Sequence, residues 1–155
     1  MMCGTMRFRM ALTVMMLITA VQAGIAEPWL PVRDGKLRGI GGMELLEEST
    51  DGTSMFLIVH DNKQPAQQRI AIVTVKGEEV DYYKVAWRGE ENAPADLEAL
   101  ATLPDGGGKM FWAMTSEGFV TEFRLVEKNP VAEVVRQFTL PGILPEADYE
   151  GLVVK

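Results

Sequence analysis

The chain has 155 residues, with 22 acidic against 15 basic side chains and a formal net charge of −7. That length suits about one domain, and the negative balance argues against nucleic acid and against anionic lipid surfaces as partners. One cysteine, Cys3, and one histidine, His60, leave no ligand set for a His/Cys zinc site.

Arg7 and Arg9 precede a largely apolar run from Met10 to Ala20, and small residues follow as far as Ala26. Basic, then apolar, then small is the order of a secretory signal peptide, and the run is shorter than the roughly 20 residues that cross a bilayer. Residues 1–26 are therefore expected to direct export, with cleavage after Ala23 or Ala26 and a periplasmic or extracellular product. Loss of the two arginines takes the formal charge from −7 to −9. Cys3 lies ahead of the apolar run, where it cannot serve as a lipidated first residue, so no stable membrane anchor is expected after cleavage. The mature chain would then hold no disulfide. Residues 27–36 read as a short extension, in which Trp29-Leu30-Pro31-Val32 has the composition of a lone strand.

From residue 37 onward the sequence repeats. Asp96-Leu97-Glu98-Ala99-Leu100-Ala101 is echoed by Asp148-Tyr149-Glu150-Gly151-Leu152-Val153, and more weakly by Gly42-Met43-Glu44-Leu45-Leu46. The intervening segments align as well. Met55–Val59 matches Met110–Met114, Ile70–Val75 matches Val120–Leu125, and Val80–Trp87 matches Val134–Leu140. Asp51-Gly52 corresponds to the turn Asp105-Gly106-Gly107-Gly108. These segments are rich in Val, Ile, Phe, Tyr and Trp and are punctuated by Gly, Asn, Asp and Pro, which is the composition of short strands joined by turns. Four antiparallel strands recurring about every 50 residues is the pattern of a β-propeller blade. The expected fold is all-β and propeller-like, with blades at about 38–92 and 93–145 and the first strand of a third at 146–155. A single irregular β-sandwich is the competing architecture. Propellers close with roughly four to eight blades, so two blades and a strand are expected to be an N-terminal portion that self-associates or docks with remaining blades.

The repeated Asp-x-Glu-Gly/Ala-Leu mark, the Thr115-Ser116-Glu117-Gly118 turn followed by Phe123-Arg124-Leu125, and Leu140-Pro141 through Leu152 resemble the secreted phytase-like or esterase-like β-propellers. The resemblance covers about Leu37 to the end. The first copy departs from it, with Gly42 in place of the acid and Leu45 in place of the small residue. The resemblance implies a ring of blades with carboxylates at the mouth of a central channel, where some relatives hold calcium and act on phosphate esters. The sequence shows no cationic cluster of the kind a polyphosphate substrate would want.

Asp96 with Glu98, and Asp148 with Glu150, stand two apart, so on a strand each pair points to one face. Converging at one rim they would suit Ca²⁺, which takes 6–8 oxygen ligands. Glu44 and Glu117 are weaker members of the same candidate set. The structural reading of these acids is that they accept backbone N–H bonds and join blade to blade. Adjacent Asp61 would face away from His60 on a strand and could not orient it as a general base, so His60 reads as a strand-end residue. No Gly-x-Ser-x-Gly elbow is present, so a serine hydrolase of that type has no support. The glycine run after Asp105 lacks the Lys-Ser/Thr ending of a phosphate loop. Two functions follow as expectations: a binding or scaffold role without catalysis, or a share in a calcium-dependent hydrolase of phosphate or carboxylic esters.

Overall fold

The computed structural model describes residues 39–155 apart from 65, 89–92, 105, 106, 108, 127–129 and 145. The expected signal peptide, the expected 27–36 extension and most of the Asp105–Gly108 turn lie outside the described residues. Nine strands are described: β1 (Ile40–Glu48), β2 (Thr53–His60), β3 (Ile70–Lys76), β4 (Glu79–Lys84), β5 (Ala86–Trp87), β6 (Leu97–Thr102), β7 (Met110–Thr115), β8 (Phe119–Val126) and β9 (Val131–Thr139). The protein is all-β. One sheet runs β1-β2-β3-β4 and the other β5-β9-β8-β7-β6. Within each, four consecutive strands form an antiparallel meander, so each sequence repeat becomes one four-stranded blade of an incomplete propeller-like fold.

Alternation along the strands sorts side chains between the faces. Leu57 and Val59 of β2, with Ile70 and Ile72 of β3, turn inward and meet Phe111 and Ala113 of β7 and Phe123 of β8 in a core shared by the two sheets. Trp87 closes this core edge-on to Phe123, with ring centroids 5.1 Å apart. The opposite face of the first sheet carries Ile58, Ala71 and Val73. The far face of the second sheet carries Ala99, Met114 and Val120, against which Leu140, Tyr149 and Leu152 pack.

The first strands of the two units, β1 and β6, run close together, and the sequence reason is Gly41-Gly42. A Cβ on Gly41 would lie 2.0 Å from the Leu97 carbonyl oxygen, and one on Gly42 would lie 2.5 Å from the Leu100 nitrogen. Only residues without side chains let the two backbones approach so closely.

The expected fourth strand, Val80–Trp87, divides at Val85. Residues Glu79–Lys84 stay with β3, whereas Ala86-Trp87 pairs in parallel with Val131-Ala132 on the outer edge of the second sheet. The Val85 N–H donates to Ile70 O (3.2 Å) and the Arg88 N–H to Ala132 O (2.9 Å), so one short segment is bonded to both sheets. Residues 146–155, where a third unit was expected to begin, belong to neither sheet. They lie instead against the second sheet: the Tyr149 N–H donates to Ser116 O at 2.9 Å. Gly118, at φ 74°, leaves room for Ile143, whose Cδ1 would be 1.7 Å from any Cβ there.

Candidate functional site

Asp96 precedes β6 in the left-handed region, at φ 59°, a conformation Asp tolerates better than most residues. Its N–H is held by Asn62 O at 3.0 Å. Its Oδ2 faces the Lys63 ammonium at 3.0 Å and accepts from the Ser116 hydroxyl at 3.4 Å. Its Oδ1 is buried without a donor. The backbone of β6 is then irregular between Leu97 and Ala99, which places Glu98 at a bulge. Asp96 and Glu98 therefore come together through a turn and a bulge rather than through the alternation of a regular strand.

Burial is the first cause that raises the Glu98 carboxyl above its ordinary range. A hydrogen bond with Asp96 and the charges of Asp96 and Asp61 add to it, against the pull of Lys63. Asp61, adjacent to His60, thus acts on Glu98. His60 is fully buried. Its Nδ1 lies 3.2 Å from Gly39 O and its Nε2 lies 3.0 Å from the Tyr82 hydroxyl. Because a carbonyl can only accept, Nδ1 is the protonated nitrogen, and the ring ties the end of β2 to the residue before β1.

The other candidate acids are placed differently. Glu44 Oε2 accepts from the Thr102 hydroxyl at 2.9 Å, a bond between β1 and β6. Glu117 is exposed on the β7–β8 turn. Asp148 and Glu150 are exposed on either side of Tyr149, whose ring is half-buried. Ser116 links the two acidic marks: its hydroxyl reaches Asp96 and its carbonyl accepts from Tyr149. The charges acting on Glu98 are those of Asp96, Asp61 and Lys63. Among the described residues, no group of three or more His, Cys, Asp or Glu side chains is placed to hold a metal ion.

Two acids outside the candidate set are bonded to arginines. Glu122 Oε2 accepts from Trp112 Nε1 and from Arg136 Nε, each at 2.8 Å. Burial pushes this carboxyl up, but the indole N–H and the Arg136 guanidinium outweigh it, and the net direction is down. Glu133 bridges Arg88 and Arg124. The signal for the first cluster was strand register: Trp112 pairs with Glu122 and Glu122 with Arg136 across β7, β8 and β9, so three aligned strands set the three side chains in a row.

No known protein-family model and no curated protein matches this chain.

Proposed function

We propose that the chain is an exported β-propeller-type protein, or a portion of one, with a binding or scaffold role and no catalytic site. The observation that carries this reading is the use made of its acids. Asp96 joins the start of β6 to the Asn62-Lys63 loop and the β7–β8 turn. Glu44 joins the inner strands, Glu122 binds Arg136 of β9, and Glu133 binds Arg124 of β8 and Arg88 just after β5. Acids engaged in this way hold segments together, and a fold of this class does not by itself specify a chemistry. Its partners in this reading are a second copy of the chain or the remaining blades.

The alternative, a calcium-dependent hydrolase of phosphate or carboxylic esters, is favoured by one feature: the contact between Asp96 and Glu98, with the Asp61 charge nearby. Two carboxyls, one of them bonded to the Lys63 ammonium, are a partial set for an ion that takes 6–8 oxygens, and no reaction step is derived through it.

Thermal unfolding of the exported chain in millimolar calcium and in chelator separates the two readings. Equal melting temperatures support the scaffold. A calcium-induced rise that the double change Glu98→Gln with Glu150→Gln removes would transfer the case to the hydrolase, because a ligand bound only to the folded state stabilises it. Export has its own test. N-terminal sequencing of secreted protein should begin at Gly24 or Glu27, and an intact N-terminus recovered from a soluble cytoplasmic pool contradicts export.

A further inference from the structure

A cleft of about 770 Å³ opens where the Lys63–Arg69 loop meets the segment that passes from the first sheet to the second. That size falls among small-ligand sites, roughly 300–1,000 Å³. Its walls combine two kinds of surface. Val85, Trp87 and Ala95 are apolar, while Lys63, Arg69 and Lys84 are cationic, and no described lining residue is acidic. In a chain of net charge −7, such a lining runs against the overall balance.

Arg69 is the central group. It is only 7% exposed, and its guanidinium donates to Asn62 O and to Gln64 O (2.6 Å to the latter). Both acceptors are neutral carbonyls, so its charge is fixed in place without a directly bonded carboxylate. Asp96, whose charge acts on Arg69 from farther off, is itself bonded to Lys63. A guanidinium has five N–H donors in a planar fork that suits a carboxylate. Trp87, 6% exposed, forms part of the wall, and its indole N–H has no acceptor.

We infer that this cleft is a binding site for a small organic carboxylate with a flat apolar body. The carboxylate meets Arg69, the body lies along Val85 and Trp87, and Lys84 at the edge draws the anion in. The inference is independent of the scaffold reading, since neither the acids nor calcium take part in it.

Phenylacetate is the probe, phenylacetamide its neutral counterpart, and inorganic phosphate the control for a bare anion. The full exported chain is titrated by NMR, following the Trp87 indole N–H resonance, assigned by its loss in Trp87→Phe. The expected result is a saturable shift with phenylacetate in the millimolar range and at least about ten-fold weaker binding of phenylacetamide. Lys84→Glu, a change away from the packed core, should weaken phenylacetate binding several-fold while leaving the spectrum folded. No saturable shift with phenylacetate overturns the inference. Equal binding of acid and amide would reduce the site to an apolar slot. Phosphate binding alone would reduce it to a simple anion site. Either result also overturns the inference. Arg69→Lys, if folded, should lose most of the preference for acid over amide, and retention of that preference would remove Arg69 from the site.

Discussion

The two sheets are built on one plan and use it differently. Each takes four consecutive strands in an antiparallel meander, yet aligned residues serve different neighbours. Phe56 and Ile58 of β2 align with Phe111 and Ala113 of β7. The first pair belongs to the outer cluster of the first sheet and the second to the shared core. Leu57 and Val59, in the shared core, align with Trp112 and Met114 on the far face of the second sheet. Corresponding faces therefore point the same way round the stack, as they must when repeated units pack front to back. The inner strands differ more. Where the first unit has Gly42, beside which β6 can approach, the second has Asp96, which holds a loop and a turn. The repeat fixes topology, and each copy adapts its edge to what it meets.

The shared core gives the largest expected effect. Phe123 is fully buried between Trp87 and Phe111, so Phe123→Ala should cost about 4 kcal/mol in chemical unfolding. Phe56→Ala, on the half-buried outer face, should cost less than half as much, and equal costs would remove the distinction between shared core and outer face. Gly41→Ala comes next. Its methyl meets the Leu97 carbonyl, and the inner strands must separate at a cost of about 2 kcal/mol or more.

Glu98 gives a smaller, pH-dependent effect. Its folded pKa is raised above the ordinary 4.5, so the folded state keeps this proton to higher pH than the unfolded one. Stability from this group is therefore greatest below 4.5 and falls as pH rises through the raised value. Glu98→Gln should remove that fall and raise the melting temperature at neutral pH. An unchanged pH profile in the variant would contradict the carboxyl pairing.

The smallest effect belongs to the turn between β1 and β2. There Asp51 is brought down from 3.8 to about 2, first by its hydrogen bond to Lys76 and then by those to Thr53. Its contribution is present above 3.8 and lost as pH falls toward 2. Because the pair is exposed, Asp51→Asn should flatten only the acid limb of the stability curve slightly.

Much of this was legible in the sequence because strand repeats survive as composition and turn spacing. The matched segments Met55–Val59 with Met110–Met114, and Ile70–Val75 with Val120–Leu125, occupy β2 with β7 and β3 with β8. His60 does end its strand. The division of Val80–Trp87 at Val85 was hidden, because an unbroken β-favouring run does not state which sheet its second half will join. The meeting of Asp96 and Glu98 was anticipated through strand alternation, but a positive φ and a bulge produce it. Neither leaves a mark in residue spacing. The cleft was hidden for a similar reason: Arg69 and Trp87 are brought together only by the passage of the chain between sheets.

The central claim is that both repeats form one cooperative unit through the shared core and the segment that crosses at Val85. Native-state amide hydrogen exchange of the full chain tests it most directly, by comparing the slowest amides of β2 and β3 with those of β7 and β8. The account predicts one common opening free energy for both groups, falling together in Phe123→Ala. Two distinct free energies, with the first sheet unmoved by Phe123→Ala, would contradict it.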